Sequence, residues 1–598
     1  MRVAVLVVMV FTLAAWDTPP TTRRGWPIYE RFCLACHGAR GDGHGPAAPY
    51  VWPAPRDFTR GELKWRSVPA GQSATDDDLR ATIRLGAPGT AMPGFPTLED
   101  AAIDQVIDVV RGFAPRGRAG APIVLGAAPP PDPLRGAALW TAKGCAACHG
   151  AATIAPAVRA YDLATGVRRP HEPGATRRAA ALSIATGLSG TAMPGYAGTL
   201  PDADLWALAD HVVALAGRAT SRAIPALAID ADRAAPIDVA TWPGRDASER
   251  AIFGAAIPPQ GPPPATLAPA QASLHARQCG RCHAKQVREW EPSLHHGAAS
   301  PGLRAQTDYM PAPKRAACLR CHAPLAEQAD NPDLQSDSVS CAGCHVRSWV
   351  RHGPPSAAPS LLPLPGYPLV TAGIYERADF CLPCHQLTPR DAVAGRPLLD
   401  TYREWLQGPY LPRGVQCQHC HMPNREHTVL GIHDPATFRQ GIALEATAHR
   451  HGPAVTAVAR VANIGAGHFL PTTTTPAAWL TITLIDAHGQ PIAGATSSYR
   501  IGRDVWFDGT TWHERADTRI PPGEHVDVAR AWTAGRTAEA TTARIEIVVH
   551  PDDYYERFYA DALAGTVVPA QRVLYQQALA RALGNRYLAE RRDVAITP

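Results

Sequence analysis

The chain has 598 residues, 45% hydrophobic and 19% charged, with a formal net charge of +5. That length requires several domains rather than one. The small positive balance is no indication of nucleic-acid binding, and after the first residues no stretch has the roughly 20 apolar residues that a bilayer span takes.

Residues 1–15, MRVAVLVVMVFTLAA, have one early arginine, an apolar run and small residues at the end. This pattern predicts a signal peptide cleaved near Ala15, because the run is too short for an unaided membrane anchor. Two similar segments follow, at 25–116 and 134–218. Each opens with a predicted helix, Ile28–Cys36 or Gly136–Cys148, leading into a Cys-x-x-Cys-His word. Each continues through a polar loop into a second helical pattern, Asp77–Leu85 or Arg177–Ala185. Nearly the same words come next, GTAMPGF at 89–95 and GTAMPGY at 190–196, before closing amphipathic helices at Leu98–Phe113 and Asp202–Ala216. In the second of these, Leu205, Leu208, Val212, Val213 and Leu215 form one apolar stripe. The two segments are a tandem repeat.

Residues 219–271 read as a linker, stiffened by Pro258, Pro259 and Pro262–Pro264, with no assignment for the mixed stretch 219–255. Residues 272–439 then hold five more Cys-x-x-Cys-His words. The texture changes at 440–550, where alternating runs at Ala454–Val461, Trp479–Ile485 and Ala543–Val549 predict the strands of a β-sandwich-like domain. Two predicted helices, Asp552–Ala562 and Pro569–Arg591, fill the C-terminal part, 551–598.

All 14 cysteines belong to seven copies of the same word. These are Cys33-Cys36-His37, Cys145-Cys148-His149, Cys279-Cys282-His283, Cys318-Cys321-His322, Cys341-Cys344-His345, Cys381-Cys384-His385 and Cys417-Cys420-His421. This is the attachment signature of c-type haem. On a helical turn, positions i, i+3 and i+4 share a face, so two thiols can reach the vinyl groups while the histidine lies under the iron. Structural zinc does not require a histidine directly after each pair, and disulfides leave the histidines unexplained. Seven covalent haems, with their iron, are therefore expected, and attachment chemistry of this kind places the chain outside the cytoplasm, periplasmic or secreted. Haem propionates add negative charge that the formal count omits, and arginine forks are their natural partners.

The repeated segment, with YERFCLACHGARGDGHG and the later MPG, resembles class I single-haem cytochrome c. The resemblance implies a small all-α fold and Met92 and Met193 as distal ligands, against the commoner use of methionine as packing. Only six methionines exist, and these two occupy matching words. Residues 272–439 resemble the superfamily of tetrahaem cytochromes and hydroxylamine oxidoreductase. The matching words are CGRCHAKQVREWEPSLHH, ASPGLRAQ, CLRCHAPLAEQ, VSCAGCHV, FCLPCHQ and EWLQGPYLPRGVQCQHCHMP. Five haems in so few residues leave no room for a conventional core, so a haem-packed, mostly helical and irregular pentahaem module is expected. The whole is then a multidomain chain.

Five distal ligands are needed if all five haems there are bis-histidine. His295 stands in the context that supplies a distal ligand in the resembled family, with His296 beside it. His352 follows the module's third motif, and His427 and His433 follow its fifth. His468, in NIGAGHFLPT between two predicted strands, matches a word found in related multihaem proteins, with a surface-turn histidine as the alternative. His275, His419, His449 and His451 are reserves. No residue is assigned a catalytic role.

Two functions stay open. One is an electron carrier or conduit, with the His/Met haems at the high-potential end. It would exchange electrons with redox partner proteins such as small cytochromes, a membrane oxidoreductase or a terminal oxidase. The other is a multihaem enzyme acting on a small nitrogen or similar inorganic substrate at an open haem. Lysine-ended motifs mark that haem in many nitrite reductases, whereas every motif here ends in histidine. The sequence favours the conduit, and it leaves the oligomeric state unspecified.

Overall fold

The computed structural model describes residues 20–51, 53–87, 90–114, 120–149, 163, 176–216, 257–354, 369–388, 392–533 and 536–598. The expected signal peptide, most of the loop after the second motif, and positions 219–256 of the expected linker lie outside the described residues. The chain divides into two compact units, 1–45 with 54–224, and 46–53 with 225–598.

In the first unit the repeat appears as two sets of four helices. One set is α1 (Trp26–Phe32), α2 (Leu34–His37), α3 (Asp76–Leu85) and α4 (Asp100–Arg111). The other is α5 (Pro133–Ala142), α6 (Ala146–His149), α7 (Thr176–Thr186) and α8 (Asp202–Ala216). The helices expected over Ile28–Cys36 and Gly136–Cys148 are each broken, at Cys33 in the first repeat and over Lys143–Cys145 in the second, and the rest of the motif forms its own short turn. α3 starts at a reciprocal cap: Thr75 Oγ1 accepts from Asp78 N at 3.1 Å, and the Asp78 carboxylate accepts from Thr75 N at 2.9 Å. The apolar stripe of α4, Ile103, Val106, Ile107 and Val110, is buried with Trp26 and Tyr29. Leu205, Leu208 and Val212 of α8 form the equivalent core with Ile184, Leu139 and Trp140. Both repeats use glycine where the first and last helices cross. A Cβ at Gly25 would lie 2.0 Å from Gln105 O, and one at Gly136 would lie 2.0 Å from Ala207 O.

The second unit begins with short helices and irregular chain around the five clustered motifs. One apolar cluster there centres on Leu274, Leu325, Leu334, Ala342, Val346 and Trp349, and Ile374, Leu382, Tyr402, Trp405 and Leu406 are buried further along. The chain then forms nine strands: β1 (Ile442–His451), β2 (Ala454–Asn463), β3 (Ala477–Asp486), β4 (Pro491–Ile501), β5 (Arg503–Phe507), β6 (Trp512–Asp517), β7 (His525–Trp532), β8 (Ala540–His550) and β9 (Tyr587–Ala595). They make a three-stranded sheet ordered β7-β2-β1, a four-stranded sheet ordered β9-β8-β3-β4, and the separate hairpin β5-β6. Alternate residues of both larger sheets enter one core: Val455, Ala457, Ala459 and Val461 from β2, and Leu480, Ile482, Leu484, Ile545, Ile547 and Val549 from β3 and β8.

One expectation at the C-terminus is corrected. The last helix, expected over Pro569–Arg591, ends at Gly584, and β9 follows it to pair antiparallel with β8. Asn585 closes the helix, and the β8–β9 register shifts between Ile547 and Val548, opposite Ala589: Ala589 is buried in the core, while past this irregularity Arg591 and Asp593 face out to Glu546 and Arg544. A helical pattern does not predict such a partner.

Candidate haem-binding sites

Each motif is a single turn closed by its own backbone. In α2, Cys33 O accepts from Cys36 N at 3.1 Å and from His37 N at 2.9 Å. His37 Nδ1 pairs with the Arg56 carbonyl at 3.1 Å, and the ring stacks on Phe58 at 4.4 Å. A carbonyl can only accept, so Nδ1 carries the proton and Nε2 is left with a lone pair. Burial pushes His37 down to about 4, which keeps the ring neutral, and pushes the Cys33 and Cys36 thiols up to about 12. In the second repeat burial likewise lowers His149, which lies 5.7 Å from Trp140.

The two methionines occupy matching loops. Met92 O accepts from Ala87 N at 3.1 Å and Met92 N donates to Thr90 Oγ1 at 3.1 Å. Met193 O accepts from Leu188 N at 3.1 Å and Met193 N donates to Thr191 Oγ1 at 3.2 Å. Phe95 N to Ile83 O and Tyr196 N to Ile184 O, both 3.0 Å, tie the two loops to α3 and α7 in the same way.

Among the clustered motifs the same proton placement recurs. Nδ1 of His322 pairs with Ala298 O at 2.9 Å, that of His345 with His352 O at 2.7 Å, and that of His421 with Leu430 O at 2.5 Å. Three motif histidines face a second imidazole from elsewhere in the chain. His295 and His385 have ring centroids 6.3 Å apart, His427 and His345 are 6.2 Å apart, and His468 and His421 are 6.2 Å apart. Two metal–nitrogen bonds of about 2 Å plus two ring half-widths come to roughly 6 Å, so each pair has room for one metal ion between its rings. Burial holds His345, His385 and His468 down to about 4 and also lowers His295 and His427. Neutral imidazole is the form that ligates metal. The motifs also touch one another, with thiols meeting at Cys279 and Cys341, Cys321 and Cys384, and Cys381 and Cys417.

His468 is brought in by the loop between β2 and β3. Its Nδ1 pairs with Phe469 O at 2.9 Å, and its own carbonyl accepts from Asn463 Nδ2 at 3.0 Å. Phe469 N and Thr472 Oγ1 donate to Glu404 Oε2 at 3.1 and 2.6 Å, and Arg519 Nη1 donates to Glu404 Oε1 at 2.8 Å. Burial pushes the Glu404 carboxyl up to about 7, against the pull of Arg519. His427 is placed by its backbone N–H, which donates to Glu289 Oε2 at 3.0 Å, and His295 by its carbonyl, which accepts from Val339 N at 3.1 Å.

The remaining histidines are placed differently. His352 is buried on the short strand Val350–Gly353, and its carbonyl serves His345. His433 Nε2 lies 3.3 Å from both carboxylate oxygens of Asp552. His296, the neighbour of His295, packs on Trp290 at 4.3 Å, and of the reserves His275 lies beside Asp333 and Asp337. His419 Nδ1 accepts from Gln416 N, and His449 Nδ1 pairs with Thr597 Oγ1, 6.5 Å from the ring of His451. Sequence reading misses Glu404 and Arg519 because no local word marks a charged pair formed between segments more than 100 residues apart.

The family model described as cytochrome c oxidase, cbb3-type, subunit III matches residues 20–108 and 131–212. The model described as cytochrome c554 and c-prime matches residues 278–346. A chain of the reducing HAO-like protein complex of Kuenenia stuttgartiensis is 28% identical over 33% of this chain and 97% of its own, with a TM-score of 0.30. The penta-heme cytochrome c552 of Thermochromatium tepidum is 20% identical over 55% of this chain and 100% of its own, with a TM-score of 0.42. No curated protein matches the chain. The two family models cover five of the seven motifs and support a multihaem c-type cytochrome that transfers electrons, with c-type haem and its iron as cofactor.

Proposed function

We propose that the chain is an extracytoplasmic electron conduit carrying seven covalent haems, two with His/Met and five with bis-histidine ligation. The observation that carries this reading is the set of three imidazole pairs at 6.2–6.3 Å, each joining a motif histidine to a histidine from a distant segment. Bound at such sites, haem supplies a one-electron iron couple. The protein's part would be to present a nitrogen lone pair to the iron from each side. His37, His322, His345 and His421 do this on the motif side through carbonyl-bound Nδ1. His295, His427 and His468 do it on the distal side, with His352 and His433 the remaining candidates. The matching loops of Met92 and Met193 support the same distal role for both thioethers, which raise potential relative to imidazole. Among the described residues no helix is long and apolar enough to cross a membrane, which fits exchange with redox partner proteins by docking.

A conduit gains from filled sixth positions, because no ligand exchange then accompanies electron transfer. The purified oxidised protein should therefore show only low-spin iron and should bind cyanide, nitrite and hydroxylamine negligibly. Tight binding of one of these at a single haem, with turnover, would replace the conduit by an enzyme acting on a small nitrogen compound.

A further inference from the structure

We infer that Tyr375 is a positioning residue for the haem of the fifth motif, fixing the rotation of the His345 imidazole and with it the plane that this ring presents to the iron. The inference rests on the multihaem reading above. The rings of Tyr375 and His345 have centroids 5.2 Å apart and are inclined by only 3°. At its edge the imidazole is held through Nδ1, which pairs with His352 O at 2.7 Å. Neither contact uses Nε2, the nitrogen left with a lone pair.

Two contacts are needed because the torsion that turns an imidazole about its Cβ–Cγ bond is soft, with broad minima. The hydrogen bond places Nδ1, and a flat neighbour against one face removes the remaining tilt. Tyr375 is itself held on several sides. Its Oη donates to Cys344 O at 2.7 Å, inside the motif whose histidine it faces. Its carbonyl accepts from Gln418 Nε2 at 3.0 Å, and the same amide donates to Arg377 O at 2.7 Å. Phe380, directly before Cys381, packs on the phenol ring at 4.8 Å. Tyr375 therefore touches the fifth motif through its ring and hydroxyl, the seventh through Gln418, and the start of the sixth through Phe380.

The first repeat reaches the same arrangement with unrelated residues. His37 Nδ1 pairs with Arg56 O at 3.1 Å, and the ring stacks on Phe58 at 4.4 Å with an inclination of 18°. There the aromatic follows the carbonyl by two residues, whereas Tyr375 comes from a separate turn, Gly373–Glu376. Two independent solutions, each a carbonyl at Nδ1 and a flat face beside the ring, point to the ring plane as the quantity being held.

The chemical consequence is electronic. An axial imidazole interacts with iron through a π orbital perpendicular to its own plane, so that plane selects the d orbital it raises. The angle between the two axial planes then sets the splitting of the iron orbitals, which electron paramagnetic resonance reads as the spread of g values. The rings of His345 and His427 are inclined by 41°, and those of His421 and His468 by 13°. Haems held between these two pairs should differ in their signals.

The test uses the full haem-loaded chain, with haems counted by mass and the oxidised protein measured by electron paramagnetic resonance. Tyr375→Leu should keep the parent's haem count and should shift or broaden the largest g value of one low-spin haem, with the other signals superimposing on the parent's. Tyr375→Phe, which keeps the flat ring and loses only the bond to Cys344 O, should give the parent spectrum. If the leucine variant does not mature, Tyr375→Met, flexible and without a ring, takes its place. A spectrum superimposable on the parent's in the leucine or methionine variant would overturn the inference. So would a Tyr375→Phe spectrum changed as much as the leucine variant's, since the hydroxyl would then be the part that matters. A parent protein without any low-spin bis-histidine signal would instead sink the ligation reading beneath it.

Discussion

His468 shows how much of the proposed wiring depends on single side chains outside the motifs. Attachment of the haem needs only Cys417, Cys420 and His421, whereas the sixth position depends on a loop held by Asn463, Glu404 and Arg519. His468→Ala should therefore retain every haem and convert one from low-spin to high-spin, read in the visible spectrum of the oxidised protein. Met92→His should lower the potential of one haem and leave the rest nearly untouched, because imidazole favours ferric iron more than thioether does. Met193→His should do the same for another, and an unchanged titration in both variants would remove the methionines from the ligand set. The motif residues are legible in sequence because their chemistry is local, a single turn with fixed offsets. The ring pairings are not, because His295 meets His385 rather than a neighbouring motif, and His345 takes its second imidazole from His427 while His352 gives it a carbonyl.

At the scale of elements, the strands are the easier part to read, since β2, β3 and β8 alternate strongly enough for the expected runs to fall inside them and within three residues of their ends. The C-terminal strand β9 escaped notice because its side chains from Glu590 to Asp593 are charged and its order comes from pairing with β8. Also invisible in sequence is the hold of the sheet region on the module. Arg503 is fully buried, with Nε on Glu514 at 2.6 Å and its two Nη groups on the carbonyls of Val393, Arg396 and Pro397. Arg503→Ala would strand those acceptors and leave the Glu514 carboxylate without its cation. Loss of one partner from a fully buried ion pair costs about 3–5 kcal/mol; Glu514 is only half-buried, so part of that cost and a lower melting temperature are expected in calorimetry. A variant as stable as the parent would show that the hairpin Arg503–Asp517 is not part of the cooperative unit.

For the whole molecule the decisive quantity is stoichiometry. Mass spectrometry of the denatured mature chain should show seven covalent haem additions and the absence of residues 1–15. Six in a fully matured sample would make one motif a structural pair. The count matters most in the module, where five motifs share residues 272–439. Porphyrins are the proposed filling there, so loss of one haem should weaken its neighbours as well.

The loop that presents His468 also bears on biogenesis. It belongs to a domain that follows all seven motifs in the chain, so on the proposed reading an iron at the last motif would receive its sixth ligand only once that domain has folded. Until then an unfinished or truncated chain would display a five-coordinate haem open to peroxide and to other small oxidants. The sheet domain on this view acts as a seal applied last, and a chain cut before residue 463 would be recognisable in the periplasm by its reactivity as well as by its length.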